Sequence, residues 1–299
     1  MKKRYVILML LVLVCSVASA APVDRNSVGV GPSNGHAVVS IPANAVEVTP
    51  GVFSLGFTFH GGQLVEGYAI VDYKEGHAKP ADTCGNGVCD PGETAKKCAA
   101  DCGGGEPDPT PDPAASCYGF IGNGAKWRAV EPWVVNPTNA RMLNHTMVFD
   151  DLVLGVDAWE AAAGLDILGD GSSTYDQLLP DTESPDGLNE VIFADVASEN
   201  AIAITIVWGV FRGAPMSRQL VEWDQVYDDV DFDWSVAGDA DRMDFLNIAT
   251  HELGHSVGMG DVYDDVCSEQ TMYGYASYGE TKKYTLESAD ITGVQELYS

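Results

Sequence analysis

The sequence predicts an α/β (α+β) layered domain over residues 117–299, preceded by a small β-rich region and a cysteine-rich module. Two observations carry this class. Downstream of residue 117, strand-like and helix-like patterns alternate, as they do where helices pack on a sheet. Upstream, short β-branched and apolar runs separated by Gly, Pro and Asn give way to four closely spaced cysteines.

Taken in order, the chain begins with Lys2, Lys3 and Arg4, an apolar stretch from Tyr5 to Val17, and Ala18-Ser19-Ala20. These are the three parts of a secretory signal peptide, so residues 1–20 are expected to be removed and the mature protein secreted. The apolar stretch is too short to span a bilayer comfortably, and no stable membrane insertion is expected after cleavage. The chain of 299 residues carries 44 acidic and 16 basic residues, a net charge of −28; losing residues 1–20 removes three basic residues and leaves −31. Such a charge excludes nucleic-acid binding, which needs a basic footprint.

Residues 21–80 contain Ala37 to Ile41, Val52 to Phe59 and Tyr68-Ala69-Ile70-Val71-Asp72-Tyr73, which read as strands of a β-rich region, either a pro-region or an accessory module. In residues 81–102, Cys84, Cys89, Cys98 and Cys102 stand too close together for a hydrophobic core, so two local disulfides are expected, with three pairings open. Residues 103–116 form a Gly/Pro linker and a natural place for activating cleavage. The two remaining cysteines of the mature chain, Cys117 and Cys267, are left to each other.

Within 117–299, Trp133-Val134-Val135 reads as a first strand and Thr146 to Ala163 as a helix with Val148, Leu152 and Trp159 on one side. Glu190 to Val196 and Ala201 to Gly209 read as strands, and Gln219 to Tyr227 leads toward a second helix. In that helix Leu246, Ala249, Leu253 and Val257 recur three or four apart, a buried stripe. The helix carries His251 and His255, four apart and therefore on one face, where two imidazoles can aim at one ion. Glu252 sits one position round, within reach of a water on that ion, as a general base requires. Gly258 tolerates the positive φ of a helix-ending turn, and such a turn can bring Asp261 back as a third ligand. Three protein ligands leave a fourth place open, the arrangement of a catalytic zinc.

The run from His251 to Asp261 resembles the metzincin signature H-E-x-x-H-x-x-G-x-x-H/D, with Asp last as in the snapalysin-like branch; Asp264 and Asp265 stand nearby as alternative third ligands. Thr271-Met272-Tyr273-Gly274-Tyr275 is similar to the family's Met-turn, and Thr285 to Tyr298 to the C-terminal helix of matrixin catalytic domains. The resemblance implies a matrixin-like domain with a twisted five-stranded mixed sheet, three helices, one catalytic Zn²⁺ and Ala201 to Gly209 as the sheet edge that receives peptide. It also implies Met272 as an apolar floor under the metal. Because Gly274 stands where some metzincins have a metal-approaching Tyr, neither Tyr273 nor Tyr275 is expected as a ligand.

The expected function is a secreted, monomeric zinc metalloendopeptidase acting on protein or peptide substrates, with Glu252 as general base. The alternative is a secreted binding or adhesion protein with a non-catalytic domain of the same kind. The acidic loops Asp166 to Asp176 and Tyr227 to Asp233 suggest a structural Ca²⁺, which prefers oxygen ligands.

Overall fold

The computed structural model describes residues 37–76 and 117–299. The expected signal peptide, Cys84, Cys89, Cys98, Cys102 and the 103–116 linker lie outside the described residues.

The strands are β1 (Val38–Val39), β2 (Val46–Thr49), β3 (Val52–His60), β4 (Gln63–Lys74), β5 (Gly119–Phe120), β6 (Trp133–Val135) and β7 (Gly171–Ser173). They continue with β8 (Asn189–Val196), β9 (Ala201–Val210), β10 (Gln219–Asp228), β11 (Trp234–Ser235), β12 (Met243–Asp244), β13 (Met259–Gly260) and β14 (Tyr275–Ala276). Three α-helices occur among the described residues: α1 (His145–Ala163), α2 (Phe245–Ser256) and α3 (Ser288–Tyr298).

The expected mixed sheet of five strands is present in the order β7-β6-β8-β10-β9, parallel except for the antiparallel β10-β9 pair. It does not stop at β9. An exposed strand edge presents unpaired N–H and C=O groups, and here the N-terminal region takes them: β4 pairs antiparallel with β9, β3 with β4 and β2 with β3. With β1 parallel on β8 and β14 parallel on β4, the sheet has ten strands among the described residues. The β-rich region is thus part of the same sheet as the residues after 117.

Side chains alternate across a strand, so β9 serves two cores. Ala203 and Val207 face a cluster that includes Trp159, Leu253 and Met272 from the helices and the Met-turn. Ile204, Ile206 and Trp208 face the other side, against Val65, Ala69 and Val71 of β4.

The helices have local reasons to form. Asn144 caps α1, its side chain accepting from Thr146 N (2.9 Å) and Met147 N (3.2 Å), and Gly164 ends it at φ 69°. Asp244 caps α2, accepting from Asn247 N at 3.1 Å, and every residue of α2 except Leu246 is buried. The helices cross closely because Gly155 of α1 faces α2: a Cβ there would lie 2.6 Å from Leu253 Cδ1. Cys117 and Cys267 are joined by a disulfide. Among the described residues, no helix is long and apolar enough to cross a membrane.

Candidate metal centre

One turn of α2 places His251 and His255 side by side with their rings perpendicular and 5.0 Å apart between centroids. Each ring is oriented by its Nδ1, which donates to a backbone carbonyl: Thr271 O for His251 (2.6 Å) and Met259 O for His255 (3.0 Å). That leaves both Nε2 atoms facing inward, the usual outer support of a metal-ligating histidine.

The chain then turns. Gly258 adopts φ 104°, and a Cβ there would stand 2.7 Å from Ala125 O, so only glycine fits. Gly258 O accepts from Ile121 N at 3.0 Å, and β13 follows antiparallel to β5, delivering Asp261 back to the histidines. Asp261 Oδ1 lies 3.2 Å from His251 Nε2 and 3.4 Å from His255 Nε2. Its other oxygen accepts from Tyr263 OH at 3.1 Å. Tyr263 in turn explains Gly274, where a Cβ would meet its ring at 2.4 Å. Asp264 is spent on its own turn, accepting from Val266 N, and neither it nor Asp265 belongs to the group that could hold an ion.

A fourth group arrives from outside the motif. Asp72 of β4 places Oδ1 3.0 Å from His251 Nε2 and Oδ2 3.4 Å from His255 Nε2. Asp72, His251, His255 and Asp261 each offer a ligand atom, all within 4.8 Å of one another. Burial opposes charge on the imidazoles, yet the two carboxylates outweigh it and raise His251 to about 9 and His255 well above its ordinary value. Burial likewise opposes charge on Asp72 and Asp261, and the imidazoles overcome it and hold both carboxyls low. The pocket therefore attracts positive charge, and its chemistry fits a divalent metal. Asp72 Oδ2, His255 Nε2 and Asp261 Oδ1 are buried with no hydrogen-bond partner, an unfavourable state for polar atoms that a bound ion relieves.

Glu252 lies beside this group, fully buried. Its Oε2 accepts from Thr205 Oγ1 of β9 at 2.5 Å, while Oε1 has no partner. Burial first, and then the negative charge of Asp72, push its carboxyl well above the ordinary range.

Beneath the site, Met272 is fully buried and its Sδ would be 2.2 Å from a Cβ at Gly254. The turn that carries it is held by Asp290 of α3, which accepts from Thr271 N (2.7 Å) and Met272 N (3.2 Å). Lys283, also buried, donates to Tyr273 O and Tyr275 O.

In the acidic loops expected to hold calcium, two carboxylates accept backbone N–H groups. Asp228 accepts from Val196 N, Val230 N and Asp231 N, and Asp166 from Gly169 N. A different acidic group, Asp181, Asp186 and Glu222, brings its oxygens within 4.8 Å of one another.

Sequence reasoning missed Asp72, Thr205, Tyr263, Lys283 and Asp290. Thr205 had a readable signal as the one polar residue of β9, and Asp72 as the one charged residue of the run Tyr68–Tyr73.

Residues 214–299 match the matrixin family (Peptidase_M10). The chain is 43% identical over 56 residues to matrilysin of Homo sapiens, covering 19% of this chain and 20% of that protein. It is 39% identical over 61 residues to matrilysin of Rattus norvegicus, covering 20% of this chain and 22% of that protein. The chain thus spans about a fifth of the length of these curated relatives. The C-terminal part of the chain is therefore similar to the matrixins, a family that implies zinc.

Proposed function

We propose that this chain is a secreted zinc endopeptidase in which His251, His255 and Asp261 hold the metal and Glu252 is the general base. The carrying observation is the convergence of the two Nε2 atoms and Asp261 Oδ1 in a buried pocket, with both Nδ1 atoms committed to backbone carbonyls. When bound there, zinc supplies a Lewis acid that polarises the scissile carbonyl and makes water acidic enough to attack near neutral pH.

The chain's own residues do the rest. An extended substrate can add to β9 as a strand where β4 has left that edge. Glu252 accepts the proton of the attacking water on its free Oε1 and passes it to the leaving amine. Thr205 holds the opposite oxygen of that carboxylate and so fixes where the proton is received. Met272 forms an apolar floor and coordinates nothing. A structural Ca²⁺ remains part of the reading, without a role in the reaction.

The test is Glu252→Ala. It is expected to keep its zinc by elemental analysis while casein cleavage disappears from a zymogram of the secreted protein, processed species included; undiminished cleavage in that variant refutes the assignment. A second reading, a secreted binding or adhesion protein with a non-catalytic domain, is favoured by one observation. Asp72 makes a fourth protein group at the site, and four protein ligands characterise structural metal sites. Chelator-sensitive clearing of casein separates the two.

A further inference from the structure

The geometry points to Lys283 as a positioning residue for the metal centre: its buried ammonium stands against the outer nitrogen of His251, weakens that ligand's hold and leaves a bound ion the stronger Lewis acid. This rests on the zinc peptidase reading, in which His251 is a ligand, and adds a residue that tunes the site from behind.

Lys283 is firmly placed. Its backbone N–H donates to Asn247 Oδ1 of α2 at 2.9 Å, and its side chain runs inward until only 1% of the residue is exposed. A lysine is almost never buried so fully without partners, and an ammonium has three donors and no acceptor. Nζ donates to Tyr273 O on the Met-turn and, at 3.1 Å, to Tyr275 O on β14. In its remaining direction stands His251 Nδ1, at 3.3 Å.

That last contact is one of charge. A carbonyl can only accept, so the 2.6 Å contact of His251 Nδ1 with Thr271 O uses the proton on that nitrogen and leaves no lone pair there for the ammonium. The usual outer partner of a ligating histidine is a carbonyl or carboxylate, which raises the basicity of the ring. His255 has such a partner in Met259 O at 3.0 Å; His251 has the carbonyl and, beside it, a cation. A fixed positive charge there opposes a second one at Nε2, in buried surroundings where screening is weak. Burial opposes the charge of Lys283 itself, while Glu280, Asp72 and Asp261 support it, so the ammonium shares two carboxylates with the ion. A neutral amide could serve the two carbonyls; only a cation acts on His251 through space. Zinc held less firmly by its ligands polarises a carbonyl more strongly when bound.

The test measures zinc affinity of the full-length chain by competition with a chelator, with the fold checked by circular dichroism. Lys283→Met removes the charge at similar length and is expected to bind zinc at least about tenfold more tightly than wild type. Loss of a merely structural outer partner has the opposite sign, weakening a metal site by about 10–100-fold. Lys283→Arg keeps the charge and is expected to show no such tightening. In the secreted protein, processed species included, kcat for casein should fall in Lys283→Met while KM is held. Unchanged or weaker zinc binding in a folded Lys283→Met, or equal tightening in Lys283→Arg, overturns the role of the charge and leaves the peptidase reading standing. Tighter zinc with an unchanged kcat overturns the link to Lewis acidity. If Lys283→Met does not fold, Lys283→Gln takes its place, and failure of both to fold marks the residue as structural and overturns the proposal. A wild-type chain that binds no zinc overturns both this role and the peptidase reading.

Discussion

Gly254→Ala sets two effects of opposite sign against each other. Gly254 lies inside α2 between the two histidines, and in a helix interior alanine is favoured over glycine by about 1 kcal/mol. On propensity alone the variant gains stability. Packing opposes it: the new Cβ would stand 2.2 Å from Met272 Sδ and 2.6 Å from Trp159 Cζ2, where favourable contact begins near ~3.5 Å. Neither neighbour has room to withdraw, since both are fully buried and Trp159 is anchored by its Nε1–H to Thr250 O at 2.8 Å. Overpacking a filled core costs about 1–3 kcal/mol. Two close contacts against constrained partners place this case in the upper half of that range, so the net loss is about 1–2 kcal/mol after the helix gain. Urea denaturation followed by tryptophan fluorescence measures it. Zinc affinity should fall in the same variant, because displacing Met272 moves Thr271, whose carbonyl orients His251. A Gly254→Ala protein as stable as wild type, with unchanged zinc affinity, refutes the reasoning.

Replacing Cys117 and Cys267 by Ser opens a link of sequence separation 150; chain entropy puts the loss at up to about 5 kcal/mol, and an unchanged urea midpoint would contradict it. Asp151 of α1 has its carboxyl raised to about 7, by burial first and then by Asp244 and Asp150. The folded state therefore binds more protons than the unfolded one between the ordinary carboxyl range and about pH 7, and this contribution to stability is lost as pH rises through 7. Asp151→Asn should accordingly melt higher than wild type at pH 8 and match it near pH 3; a constant difference across that span would sink the account.

The local parts of the site were legible because they follow from periodicity. Two histidines four apart share a helix face, and a glycine after the helix permits the turn to Asp261, so one short window specifies most of the pocket. Asp72 was not legible in the same way, because it meets His251 across a sequence separation of 179 and nothing in a strand's composition names the strand it will join. The same limit applied to the sheet. Alternation and β-branching predicted strands in residues 37–76, while their addition to β9 depends on which edge is free. Acidic content is legible without its use: Asp228 stands in a loop read as a calcium candidate, and in the fold it accepts from the N–H groups of Val230 and Asp231.

Thr271 has a consequence for how the protein is made. Its carbonyl orients His251 while its N–H is held by Asp290, and Asp290 lies in α3, well downstream of the Met-turn. The orientation of His251 therefore depends on residues that leave the ribosome well after it. Nascent chains stopped before Asp290 lack this brace, so the pocket around His251 takes its final shape only once synthesis has passed α3.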